Sequence, residues 1–179
     1  MANPLLPSRL LILACSATKR DGPRYVPAID RYDGPLWRTL RTVDQAQVAF
    51  LSAHLGFREA KTPIEIYDAR MTEAIAAAMK AGGLGTRWPR PRNQRRVMPD
   101  GEHPGMHIGS MTALAKRPFT VVALVGGHLY LDVTRHLIGL FRDREYITAE
   151  AKVIEINGPI GRMRRDLRLW LDGHELGAR

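Results

Sequence analysis

The chain has 179 residues, 45% of them hydrophobic, which suffices for one domain with a sizeable core and is too short for two comfortable ones. A single cysteine excludes an intramolecular disulfide and any multi-cysteine zinc site, and fits a reducing, cytoplasmic setting. The net charge of +9 arises from 27 Lys and Arg, 22 of them Arg, against 18 Asp and Glu. Guanidinium suits bidentate phosphate contacts and points to nucleic-acid or nucleotide partners, although a GC-rich genome that favours Arg codons gives the same balance.

The start, "MANPLLPSRLLILACSATKR", has a faint look of a signal peptide, but Arg9 sits just before a short apolar run that leads straight into polar sequence with no convincing cleavage site. The run "RLLILAC", 9–15, reads as a fully buried first strand. A polar stretch, 16–34, follows and ends in the turn-like "YDGP"; Pro35 then opens a helix, "PLWRTLRTVDQ". "QVAFLSA", 47–53, is the second strand, and a loop runs from it through "HLGFREAKTPIEIY". Asp68 is placed to cap the helix "ARMTEAIAAAMKA", which stops at Gly82-Gly83.

Residues 82–104, "GGLGTRWPRPRNQRRVMPDGEHP", hold five arginines and four prolines and read as a flexible basic arm inserted before the third strand. Arg87, Arg90, Arg92, Arg95 and Arg96 can lie along phosphates, with Trp88 free to stack on a base; a solvated surface insertion is the alternative. "FTVVALVGG", 119–127, is the clearest strand, "LYLDVTRHLIGLF" a helix, and "AKVIEIN", 151–157, a short fourth strand. "GPIGRMRRDLRLWLDG" closes the chain as an amphipathic helix with Ile160, Met163, Leu167 and Trp170 or Leu171 inward. The alternation predicts a single α/β domain: a mostly parallel sheet of about four or more strands flanked by helices. No run approaches the ~18 apolar residues of a membrane span, so no membrane partner is expected.

Three strand ends carry chemistry-bearing residues, at the edge where open α/β sheets bind ligands. After the first strand, Ser16, Lys19 and Arg20 can grip an anion, in an order unlike a phosphate-binding P-loop. Cys15 is either a nucleophile activated by Lys19 or a small buried hydrophobe. After the second strand, Ser52 and His54 leave the sheet; His54 can act as acid or base, and Asp68 can exchange a proton or simply cap a helix. After the third, Gly126 and Gly127 permit close backbone approach, with His128 and Tyr130 on the same turn. His103 and His107 resemble a metal pair without a nameable third ligand; no metal or cofactor is expected, and neither a catalytic-serine elbow nor a dinucleotide fingerprint is present.

The succession "LACSATKR", "PAIDRYDGPLWRTLR", "VAFLSAHLGFREAKTPIEIYDARM", "VALVGGHLY" and "GPIGRMRRDLRLWL" resembles the YaaA-type peroxide-stress proteins of bacteria and phages over nearly the whole chain except the arginine arm. Its Cys-and-Lys turn is also distantly similar to that of archaeosine synthase, which modifies a deazaguanine base in transfer RNA. The resemblance implies DNA binding, protection from oxidative damage, or base modification. Carried over, it marks Cys15, Ser16, Lys19, Tyr32, Ser52, Tyr67, Asp68, Gly126 and Tyr130 as ligand-site candidates. This chain departs from the pattern at His54, where a lysine is common, and in the arm. Three readings remain open: an enzyme acting on a nucleobase or nucleotide, a non-catalytic DNA-binding protein, and a small-ligand enzyme unrelated to nucleic acid.

Overall fold

A computed structural model describes residues 8–40, 46–88 and 117–174. Its centre is β1 (Arg9–Ala14), whose side chains alternate between two cores. Leu10 and Ile12 enter one apolar cluster, Leu11 and Leu13 the other, and all four are at most 1% exposed. A strand buried on both faces needs an unbroken apolar run rather than polar alternation, which is why "LLIL" is legible as central. β3 (Gln47–Ser52) and β6 (Phe119–Val125) flank β1 in parallel, β7 (Ile147–Ile156) extends the sheet beyond β6, and β4 (Gly56–Glu59) closes the other edge antiparallel to β3. The order is β4-β3-β1-β6-β7.

The helices cover both faces. The short α1 (Ala28–Arg31), α2 (Pro35–Leu40) and the terminal α5 (Ile160–Leu171) bury Ala28, Trp37, Leu40, Met163, Leu167 and Trp170 with Leu11 and Leu13. On the other face, α3 (Glu73–Gly82) and α4 (His128–Asp143) bury Met79, Leu131, Leu137 and Phe141 with Leu10 and Ile12. The chain leaves β1 towards β3 over one face and returns across β1 to β6 over the other. The loops after β1 and β6 therefore diverge and open a crevice at the carboxyl edge, the place where strand order reverses.

The structure bears out the α/β class and the three principal strands, and corrects several details. The stretch after β3 holds β4 and β5 (Pro63–Ile64), which pairs with β2 (Val26–Pro27) in a two-stranded ribbon. Asp68 is not a helix cap: α3 begins later, and Thr72 Oγ1 accepts from the Ile75 amide. Ile160 is 49% exposed rather than inward, because the buried face of α5 starts at Met163. Residues 41–45 of the expected helix "PLWRTLRTVDQ", arm residues Arg90, Arg92, Arg95 and Arg96, and His103 and His107 lie outside the described residues. No described helix is long and apolar enough to cross a membrane.

Candidate functional site: the crevice at the ends of β1, β3 and β6

The end of β1 is pinned from three sides. The Cys15 amide donates to Leu51 O (2.9 Å), Trp37 Nε1 donates to Ala14 O (3.0 Å), and Gly126 approaches so closely that a Cβ there would lie 2.9 Å from the Ala14 Cβ. Only glycine permits that approach of β6 to β1. The turn after Cys15 is then folded back by the 31–34 segment: Asp33 N donates to Thr18 O (2.9 Å), Arg20 N to Arg31 O (2.8 Å), and Lys19 and Tyr32 form a single antiparallel bridge. A Cβ on Gly34 would meet Ser16 Oγ at 2.5 Å and Ser16 Cβ at 3.3 Å, so the "YDGP" turn packs directly on the Ser16 side chain.

Four of the expected residues make one hydrogen-bonded frame. Ser52, fully buried, receives the His54 and Leu55 amides on Oγ (3.0 and 3.1 Å) and hydrogen-bonds the Tyr67 hydroxyl (2.8 Å). Tyr67 in turn hydrogen-bonds the hydroxyl of Tyr32, which is also fully buried. The His54 ring leans on Tyr67 at 4.8 Å, and Lys19 Nζ stands 4.3 Å from the Tyr67 centroid and 5.8 Å from that of Tyr32. Lys19 Nζ also donates to Ser16 O (3.0 Å). Tyr32 and Ser52 are buried within this frame, Ser16 is buried in the turn beside it, and Tyr67 is half-buried between the frame and the crevice.

The accessible groups are fewer. Cys15 is half-buried, with Sγ 3.4 Å from the Tyr130 hydroxyl. Lys19 and Tyr130 are half-buried, while His54, Asp68, Gly127 and His128 are exposed. Gly127 caps α4, and His128 is its first residue. The irregular segment 65–72 straps the crevice, joined to the frame by Tyr67 and, through Met71, to the cluster against which Tyr130 packs. This strap is irregular chain where a helix starting at 69 was expected.

Burial dominates the electrostatics. Lys19 is pushed below the usual ammonium value by desolvation, opposed by the nearby Cys15 and Asp68. Desolvation also lowers His54, opposed by Glu65 and assisted by Lys19. Tyr32, Tyr67 and Tyr130 are all raised, chiefly by burial, so their phenols stay protonated. The crevice thus combines one partly desolvated cation, a neutral imidazole face, a thiol beside a phenol, and an exposed carboxylate. Such a set can hold an anionic or carbonyl oxygen at Lys19 and exchange protons at Asp68.

Two expected nucleic-acid contacts are described. Arg87 is exposed. Trp88 is docked on the body: its ring packs against the first cluster, its Nε1 donates to Ala53 O (2.8 Å), and its carbonyl accepts from Arg58 Nη2 (3.1 Å). Sequence reasoning missed Arg31, which is 1% exposed and donates to the carbonyls of Arg20, Pro23 and Arg24, holding the loop before α1. It also missed Asn157, whose amide donates to Gly126 O (2.6 Å) and ties the end of β7 to the crevice. Trp37 is visible in the sequence only as part of an apolar stripe, and nothing there marks its hydrogen bond to Ala14 O. No group of metal-holding side chains occurs among the described residues. No family model, no curated protein and no solved structure matches this chain.

Proposed function

We propose that the protein is an enzyme directed at nucleic acid or nucleotides that acts on a nucleobase held in the crevice of β1, β3 and β6. The observation that carries this reading is the position of Lys19. Its ammonium lies among aromatic rings at the carboxyl edge, beside the Cys15–Tyr130 pair and within electrostatic reach of Asp68. A base presents what these groups recognise: a planar ring, carbonyl oxygens and ring nitrogens that take or give protons. In this reading Lys19 holds an anionic or carbonyl oxygen, Asp68 exchanges a proton, Tyr130 packs on or hydrogen-bonds the base, and Cys15 supplies the thiol beside them. His54, Gly127 and His128 border the base, and Arg87 with the arm meets the phosphates. The net charge of +9 and the resemblance to YaaA-type proteins point the same way.

The test begins with purified protein. Its absorbance ratio, followed by mass spectrometry of anything released on denaturation, identifies a co-purifying nucleotide or nucleic acid. With a base-containing ligand in hand, Lys19→Ala and Asp68→Ala are expected to abolish turnover. Retained turnover in both variants would overturn the assignment. The net charge also favours a second reading, a non-catalytic DNA-binding protein; it predicts salt-sensitive DNA binding that is indifferent to both substitutions.

A further inference from the structure

Helix α5 carries a charge pattern that the fold does not need. Its inner face, Met163, Leu167, Trp170 and Leu171, is buried. On the outer side Arg162, Arg164, Arg165 and Arg168 are all exposed, and the helix has one acid, Asp166, which pairs with Arg165. No carboxylate among the described residues lies within ion-pair distance of Arg164 or Arg168. The longer α4 balances its charge instead, with Asp132 and Asp143 against Arg135 and Arg142. Four like charges within three turns repel one another unless an anion lies across them. Gly161 stands in the first turn of α5, where a Cβ would meet nothing. Packing gives no reason for it, and it leaves bare backbone open to close approach on the same side of the molecule.

We propose that the exposed arginine face of α5 docks the phosphodiester backbone of a polynucleotide strand and delivers its base to the crevice. The proposal rests on the nucleobase reading above and narrows its substrate from free nucleotides to polymeric nucleic acid. The geometry supports a single path. Arg162 Nη2 donates to Asn157 O (2.8 Å), Asn157 Nδ2 donates to Gly126 O (2.6 Å), and Gly126 abuts Ala14 and Tyr130. The first turn of α5 therefore begins beside the crevice, one strand beyond β6. From Arg162 to Arg168 the helix rises about 9 Å, which spans two to three phosphates at roughly 3.4 Å per residue of a stacked strand. An anionic membrane would also attract these arginines. The continuous apolar face that a membrane-lying helix inserts, Met163, Leu167, Trp170 and Leu171, is, however, already buried against α2 and the sheet, which leaves Ile160 and Leu169 as the exposed apolar side chains of α5.

The experiment is fluorescence anisotropy of a labelled single-stranded oligonucleotide across a salt series. It uses the unsubstituted chain, the triple variant Arg164→Gln/Arg165→Gln/Arg168→Gln, the single variants Arg164→Gln and Arg168→Gln, and Lys19→Ala. The wild type is expected to bind with a steep salt slope. Each single substitution should flatten that slope by about one and the triple by about two to three, with titrations of nucleoside monophosphate unchanged. An unchanged slope in the single variants overturns the proposal, as does tight binding to phosphatidylserine vesicles with none to the oligonucleotide. If monophosphates bind in a Lys19-dependent way and the oligonucleotide binds no better, the α5 proposal fails and the crevice reading stands. If neither ligand binds, both fail.

Discussion

Gly126→Ala probes the convergence of β1 and β6 directly. The added methyl would sit 2.9 Å from the Ala14 Cβ, 3.4 Å from the Tyr130 Cβ and 3.6 Å from the Ala14 nitrogen. Carbon atoms rest at about 3.5–4.0 Å, so the closest contact overlaps by roughly 0.6–1.1 Å. No flexible side-chain end is available to yield, because Ala14 belongs to the central strand and is held by Trp37. Overpacking of this kind costs about 1–3 kcal/mol. For a chain of this size that corresponds to a fall in Tm of roughly 2–12 °C. Ala14→Gly removes the opposing methyl at about 0.5–1 kcal/mol of its own. In that background Gly126→Ala should cost clearly less, giving a favourable coupling of about 0.5–3 kcal/mol. Urea unfolding of the four proteins measures the cycle. Strict additivity, or a Gly126→Ala cost below about 0.5 kcal/mol, would refute the close approach on which the crevice depends.

Ser52→Ala should destabilise by about 1–3 kcal/mol, because the His54 and Leu55 amides and the Tyr67 hydroxyl lose a shared buried partner; denaturant midpoints check it. Stability should fall as pH rises above about 10, where unfolded tyrosines ionise and the native phenols of Tyr32, Tyr67 and Tyr130 keep their protons. Each contributes a slope of about −1.4 kcal/mol per pH unit, which Tyr32→Phe should reduce in pH-resolved unfolding curves. Lys19 behaves oppositely: its folded value is depressed, so its charged form opposes folding at lower pH and the penalty is relieved as pH rises towards about 10.5. Amine labelling read by mass spectrometry should modify Lys19 at a lower pH in the folded than in the urea-unfolded protein, and equal labelling profiles would contradict its desolvation.

The parts of this fold legible in sequence are those whose burial is uniform. "LLIL" is apolar throughout and "FTVVALV" nearly so because helices cover both faces, and the α5 stripe shows which side of that helix meets the core, although it begins at Met163 and not at Ile160. β4 and β5 were hidden because four-residue and two-residue strands holding Gly56, Arg58 and Pro63 carry no periodicity. Arginine ordinarily marks surface, yet Arg31 and Arg58 are buried because their guanidiniums donate to backbone carbonyls, those of Arg20, Pro23 and Arg24 for Arg31 and those of Phe57 and Trp88 for Arg58. Asp68 stands before a helical pattern and so looks like a cap, but Tyr67 must reach Ser52 and Met71 enters the first core cluster, so the helix starts only after Thr72, whose side chain caps it. The three turns at the carboxyl edge were individually visible. Their division into a buried frame and an accessible set was not, because it depends on which side of each turn the neighbouring loop covers.

The central claim is that a nucleobase sits in the crevice beside Lys19 and Tyr130. Photo-crosslinking with an oligonucleotide carrying a thio-substituted base, mapped by peptide mass spectrometry, reads its position directly. The account predicts adducts on the peptides holding Cys15 to Lys19, His54 or Tyr130, lost in Lys19→Ala. Adducts confined to other surfaces, or unchanged in that variant, would contradict it.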